Sequence, residues 1–337
     1  MEPSRRDVLA ATAMAAAASS LGGEASAQAP SGELRLASFQ APNDPRPRIG
    51  VAQPDGTMVD LAAEAERGAS LAFDPRNMVS LIAAGEPALA QVRDLADKGG
   101  APRVRLDAVR LLSPIPNPSR NIYAVGWNYL EHFAEGQAIR ESNQTYPEHP
   151  VFFTKGTHTM NGPYDPIPFD DKVSTQIDWE GELAVVIGRR GRNIPEADAM
   201  GHVFGYAVFN DTTARDMQQK RHGGQWFKGK SLDGHGPMGP WIVLRDGLDP
   251  DDLRLVTRVN GVVKQDASTK QMYFKVPRIV AELSLGLTLE PGDIIATGTP
   301  PGVGAARKPP EFMKPGDVME TEIVGLGTLR NAITAVA

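Results

Sequence analysis

The sequence predicts an α+β fold that is mainly β: rolled, mixed β-sheets with helices at their rim, preceded by a small α+β domain. Three observations carry this. From Asn121 to the C-terminus, short apolar runs alternate with Gly and Pro turns. The chain of 337 residues holds 34 Gly and 28 Pro, enough for many such turns. Helical periodicity is scarce and confined to a few stretches.

Composition closes off several functions. The net charge is −6 with no basic stripe, which argues against nucleic acid and against an anionic membrane surface. There is no cysteine, so disulfides, Cys-ligated zinc, iron–sulfur clusters and a thiol nucleophile are excluded. Residues 1–27 read as a targeting segment. Ser4-Arg5-Arg6-Asp7-Val8-Leu9 is a twin-arginine pattern, an Ala-rich run follows from Leu9 to Leu21, and Ala25-Ser26-Ala27 suits cleavage before Gln28. The mature protein is therefore expected to be exported folded, to be soluble in the periplasm, and to carry no membrane span.

Residues 33–112 form the expected N-terminal domain. Leu34–Phe39, Pro47–Ala52 and Thr57–Leu61 read as strands, with Asp55-Gly56 as a hairpin turn. Residues 77–84 and 86–97 read as helices, with Leu81, Leu89, Val92 and Leu95 on one stripe. Nothing here carries chemistry, so packing or dimerisation is its expected role. Ser113-Pro-Ile-Pro-Asn-Pro118 is an extended connector. The main domain, 113–337, opens with Asn121–Gly126. It continues with apolar runs at Val203–Phe209, Trp241–Leu244, Leu255–Val263, Asp293–Thr297 and Val318–Val324. Glu290-Pro-Gly-Asp and Lys314-Pro-Gly-Asp use one Pro-Gly turn twice. Helices are expected around 128–135, 212–221 and 275–285.

Five places can hold chemistry. In the strand-like Gln176–Gly188, Glu180 and Glu182 are two apart, so their carboxylates leave the same face. Such a pair beside an apolar run is tolerable if a cation lies between the two or if one keeps a proton; a solvated strand end is the plain alternative. Asn128 can cap a short helix on which His132 and Glu135 share a face, as a general base and its orienting carboxylate would. An exposed helix face explains them equally. Asp211 reads as the N-cap of a helix starting near Thr212, with Arg215 and Gln218 on one helical face above it, suited to a ligand carboxylate or polarised carbonyl. Lys230, between Gly229 and Ser231, is a candidate buried charge facing an enolate or oxyanion. Thr299, in the turn after Ala296, can meet an anionic ligand, although a plain tight turn accounts for the same residues.

Together these segments resemble the fumarylacetoacetate hydrolase superfamily. The resemblance spans roughly 115–335 and rests on Tyr123-Ala-Val-Gly-Trp-Asn-Tyr-x-x-His132, Asp178-Trp-Glu-Gly-Glu-Leu-Ala-Val-Val-Ile-Gly188, Asn210-Asp-Thr-Thr-Ala-Arg-Asp-Met-Gln218, Lys228-Gly-Lys-Ser-Leu-Asp233 and Gly292-Asp-Ile-Ile-Ala-Thr-Gly-Thr-Pro-x-Gly-Val-Gly304. The branch it is similar to includes acylpyruvate hydrolases and hydroxymuconate-type isomerases. The resemblance implies Mg²⁺, or Mn²⁺, held by Glu180, Glu182 and Asp211, because Asn128 stands where the archetype has a further Asp ligand. It implies Lys230 as a catalytic cation, Arg215, Gln218 and Thr299 as substrate-binding residues, and His132 with Glu135 as the catalytic base pair. His235 lies where relatives carry other residues, and its role stays open.

The implied activity is divalent-metal-dependent hydrolysis of a C–C bond in a 2,4-dioxo acid of the acylpyruvate type. Water activated by His132 and Glu135 attacks, and the enolate leaves held by the cation. An isomerase, hydratase or decarboxylase acting on 2-oxo or enol acids is the alternative, and a non-catalytic oxo-acid-binding protein the third. A small-molecule 2-oxo or 2,4-dioxo acid partner and a homodimer are implied as well.

Overall fold

The computed structural model describes residues 33–140 and 145–336; the expected leader, 1–27, lies outside the described residues. One large sheet organises the molecule. Its strands in chain order are β1 Arg35–Ala41, β2 Asp44–Ala52, β3 Thr57–Asp60, β4 Arg103–Arg105, β5 Ile122–Gly126 and β6 Val151–Lys155. A second sheet contributes β7 Ile167–Phe169. The large sheet resumes with β8 Gly181–Ile187, β9 Val203–Asn210 and β10 Gly236–Leu244. Then follow β11 Arg254–Val259, β12 Val262–Ser268, β13 Ile294–Ala296, β14 Val318–Ile323 and β15 Gly327–Ala335. The large sheet runs β4-β3-β2-β1-β10-β9-β8-β13-β5-β6, and the second runs β12-β11-β14-β15-β7. Pairing is mixed: β13 lies parallel to β5 and β15 parallel to β7, while their other neighbours are antiparallel. The fold is mainly β, with mixed sheets and a few helices.

The large sheet runs across the expected boundary at 112/113, because β1 pairs with β10 (Arg35 opposite Val243). Alternation along β8 shows how both faces are buried. Leu183, Val185 and Ile187 join a core that includes Leu255, Ile323 and Leu329 of the second sheet. Ala184 and Val186 join the opposite core, with Leu81, Ile82, Leu89 and Val92. Those four belong to the helix Met78–Asp97.

The helices are α1 Leu61–Glu66, α2 Met78–Asp97, α3 Leu130–Arg140, α4 Arg215–Lys220, α5 Phe227–Lys230 and α6 Val276–Ser284. The two helices expected over 77–84 and 86–97 meet inside α2 at Gly85, which sits at φ 66 and breaks the helix there. Asn77 caps its start by accepting from Val79 N and Ser80 N. The repeated Pro-Gly turns are built alike. Asp293 Oδ2 accepts from Glu290 N, and Asp317 Oδ2 from Lys314 N, each at 2.8 Å.

Three local expectations are corrected. The apolar run Leu255–Val263 is a hairpin rather than one strand. Asn260 and Gly261 both have positive φ (52° and 76°), as a tight two-residue turn requires. The helix after Asp211 begins at Arg215 with Ala214 at its N-cap position, so Asp211 caps nothing. Asn128 is not a helix cap either. Its Nδ2 donates to Phe274 O and Thr297 O, and its Oδ1 accepts from Phe274 N. These bonds pin the start of the α3 segment to two distant loops.

Candidate active site: a carboxylate cage beneath a histidine

The site forms where β8 begins and β9 ends, since Gly181 pairs with Asn210. Asp211 N donates to Glu180 O at 2.8 Å, and Glu180 N donates to Asn210 Oδ1 at 3.1 Å, so the two strand ends are tied together. This brings Glu180, Glu182 and Asp211 together, all buried, each offering a carboxylate oxygen within 4.8 Å of the others. Gly181 between the glutamates has no room for a side chain: a Cβ there would lie 2.4 Å from Thr257 Oγ1.

Three cations surround the cage. Lys230 Nζ donates to Glu180 Oε2 at 2.5 Å and to Asp211 Oδ2 at 2.7 Å. Lys155, at the end of β6 and fully buried, lies 2.7 Å from Asp211 Oδ1 and also donates to Thr212 O and Lys230 O. Arg215 Nη2 lies 2.7 Å from Glu180 Oε1, while its Nε donates to Asp178 Oδ2 at 2.7 Å. Asp178 in turn accepts from Gly304 N and Ala305 N. Arg215 Nη1 donates to Gln218 Oε1 at 3.1 Å, which turns the amide NH₂ of Gln218 away from the arginine. Arg215 therefore braces Glu180, and both Arg215 and Gln218 line the cavity beside the cage.

Electrostatics separate the two glutamates. Burial pushes Glu180 up, but Lys230, Arg215 and His132 outweigh it and hold the carboxyl down at about 2. Glu182 is driven well above the usual carboxylate range by burial and by the charges of Asp211 and Glu180. Burial pulls the Lys155 ammonium down against the attraction of Asp211. Burial opposes the charge of Lys230 too, yet Asp211 and Glu180 raise it. Four carboxylates, Asp178 included, thus face three cations, and Glu182 is the one left uncovered. A buried, oxygen-only cage with one uncompensated carboxylate fits a hard divalent cation.

A cavity of about 450 Å³ opens at the cage, lined by the polar side chains Glu180, Glu182, Lys230 and Gln218 and by the aromatic rings of Trp127, Phe153 and Trp226. His132 and Thr299 also line it. The Trp226 ring packs edge-on against Trp127 and Phe153, with centroids 5.0 and 5.2 Å apart. His132 comes from α3, but its Nδ1 lies 3.5 Å from Glu135 Oε2, too long for a good hydrogen bond, and has no hydrogen-bond partner among the described residues. The Glu135 carboxylate instead accepts from Gly302 N at 2.9 and 3.1 Å. Thr299 spends its hydroxyl within the fold: it donates to Gly181 O at 3.0 Å and accepts from Gln265 Nε2 at 2.8 Å. His235 faces a different cavity, of about 310 Å³, and its Nε2 meets Pro168 O at 2.8 Å. Lys155, Asp178 and Gln265 were not singled out by sequence reasoning. Asp178 had a signal, since Asp178-x-Glu180-x-Glu182 repeats with the period of a strand.

The chain matches the fumarylacetoacetate hydrolase C-terminal family over residues 121–334 and belongs to it. It is similar to oxaloacetate tautomerase YisK of Bacillus subtilis (strain 168), with 43% identity over 293 residues, covering 85% of this chain and 95% of the relative. Among solved structures it is similar to the fumarylacetoacetate hydrolase of psychrophilic Exiguobacterium antarcticum, at 40% identity and a TM-score of 0.76, covering 90% of this chain and all of that one. It is also similar to maleylpyruvate hydrolase of Sphingobium sp. SYK-6 in complex with manganese(II) and pyruvate, at 29% identity and a TM-score of 0.71, with 90% and 100% covered. The protein is an enzyme of this family, expected to act on a small molecule; among the described residues no helix is long and apolar enough to cross a membrane.

Proposed function

We propose that the enzyme is a keto–enol tautomerase of 2-oxo acids, with oxaloacetate as the first substrate to test. The observation that supports this reading best is the His132 imidazole, its Nδ1 without a hydrogen bond, lining the same cavity as a buried carboxylate cage that suits a divalent cation. Tautomerisation needs one proton taken from C3 and one delivered to the 2-oxo oxygen, and no activated water. A Mg²⁺ or Mn²⁺ ion held by Glu180, Glu182 and Asp211 would supply electrostatic stabilisation of enolate charge. His132 removes or returns the C3 proton from the cavity side. Lys230 has three N–H donors, of which Glu180 and Asp211 take two; the third is available to the oxo oxygen. Gln218 orients the substrate carboxylate, and the ring faces of Trp127, Phe153 and Trp226 limit water.

The likeness to a maleylpyruvate hydrolase, and the presence of Glu135 one helical turn from His132, favour a second reading. This is hydrolysis of the C–C bond in an acylpyruvate-type 2,4-dioxo acid, with water activated by His132 and Glu135. The test is to add enol-oxaloacetate and, separately, acylpyruvates to the chelated and the Mn²⁺-loaded protein, following enol absorbance and pyruvate release. Faster loss of enol without pyruvate supports the first reading; pyruvate from acylpyruvates replaces it with the second. His132→Ala is expected to leave Mn²⁺ binding within twofold and to lower turnover by roughly 10²–10⁴. Near-normal turnover would put the base elsewhere.

Export by the twin-arginine route and a homodimeric state remain proposals of the same kind. A mature N-terminus at Gln28 in the periplasmic fraction, and the mass in solution, decide them.

A further inference from the structure

The turn after β13 carries more of the site than its own side chains do. Gly298 N donates to Glu182 Oε2 at 2.8 Å. The Thr299 hydroxyl donates to Gly181 O, in the peptide chain between the two cage glutamates. Gly302 N holds the Glu135 carboxylate, and with it the helix that brings His132. One turn therefore fixes a cage ligand, the backbone of the cage strand and the base-bearing helix.

That turn is poorly able to hold its own shape. Pro300 and Pro301 offer no N–H, so two of its peptide units cannot donate internal bonds. Its form is imposed from the second sheet by Gln265 of β12, which is 1% exposed. Gln265 Nε2 donates to Thr299 Oγ1 at 2.8 Å and to Pro300 O at 2.9 Å, and its Oε1 accepts from Gly181 N at 3.0 Å. The amide orientation is forced, because Gly181 N can only donate and Pro300 O can only accept. The turn also presses on the same strand at Gly302, where a Cβ would lie 2.2 Å from Lys264 O.

We propose that Gln265 is a positioning residue that couples the carboxylate cage to the His132 helix through this turn. A single carboxamide ties Gly181 to Thr299 and Pro300, so losing it loosens Glu182 and Glu135 together. This inference rests on the cation-cage reading for one of its two readouts only.

The test uses the full chain. Gln265→Met keeps the length and removes every hydrogen bond. Gln265→Glu keeps the acceptor for Gly181 N but sets a carboxylate against Pro300 O, unless it is protonated. Hydrogen exchange is followed in the cation-free protein over 297–303, over 130–137 and, as a reference, over α2. Gln265→Met is expected to speed exchange about tenfold in both site segments and to leave α2 unchanged, the pattern of one local opening. Mn²⁺ affinity, read by electron paramagnetic resonance, is expected to fall about tenfold, as when a supporting partner of a ligand is lost. Gln265→Glu should show the same effects at pH 8 and recover toward the parent at pH 5, which keeps the test open if the Met variant does not fold. Faster exchange in 297–303 with no change in 130–137 overturns the coupling, as does unchanged Mn²⁺ affinity beside a parent that binds the ion. If the parent takes up no Mn²⁺, the cation reading fails on its own and the exchange in 130–137 decides the role of Gln265.

Discussion

Glu182 is the cage carboxylate whose charge the protein leaves uncovered. Lys230 and Arg215 serve Glu180, and Lys155 and Lys230 serve Asp211, whereas Glu182 receives a single backbone N–H from Gly298. Burial and two like charges raise it well above the usual carboxylate range, which favours the protonated form when no cation is bound. Glu182→Gln copies that protonated form. Its cation-free stability is expected to stay within about 1 kcal/mol of the parent in urea unfolding, because the neutral amide matches the form that burial favours. Mn²⁺ affinity should nonetheless fall by roughly 10–100-fold in titration, since a carboxylate ligand is gone. His235 gives the opposite case. Burial pushes it down to about 4, so the folded protein holds it neutral where the unfolded chain, near 6.5, takes up a proton. Its effect is absent above pH 6.5, and stability is lost as pH falls from there toward 4. At pH 5 the loss is about 2 kcal/mol. His235→Gln, which can still donate to Pro168 O, is expected to recover most of that difference in urea unfolding at pH 5 and none at pH 7.5.

At the scale of elements, α2 shows how much local sequence decides. Gly85 at φ 66 has nothing within 4 Å of where a Cβ would stand, so the cost of Gly85→Ala is conformational alone. It is expected to lower stability by about 1–2 kcal/mol, read as a fall in melting temperature. The apolar stripes on either side of Gly85, like the period-2 spacing of Glu180 and Glu182, were legible because both are local patterns. The misread elements share another cause. Asp211 and Asn128 have cap-forming side chains, but each is taken by partners far along the chain: Lys155 and Lys230 for Asp211, Phe274 and Thr297 for Asn128. The same holds for Glu135. Its spacing from His132 is helical, yet Gly302, 167 residues on, claims its carboxylate. Lys155 left no mark beyond a single charge closing the apolar strand Val151–Lys155, which reads as an ordinary strand end.

For the whole molecule, the N-terminal residues and the site belong to one sheet. β1 and β2 extend it beyond β10, and α2 covers the face that Ala184, Val186, Ala207 and Phe209 present. The residues of the expected N-terminal domain pack against this sheet, and the sheet continues through them. The pairing of Arg35 with Val243 also sets a clock for synthesis. At about 5–20 residues per second, a ribosome that has made β1 needs roughly 10–40 s more to make its partner β10. For that interval the first strands hold an open edge and a bare apolar face, the state most open to wrong pairing between chains. Yield in a living cell should therefore depend on translation speed and on holding factors acting early on the nascent chain, well before the carboxylate cage exists.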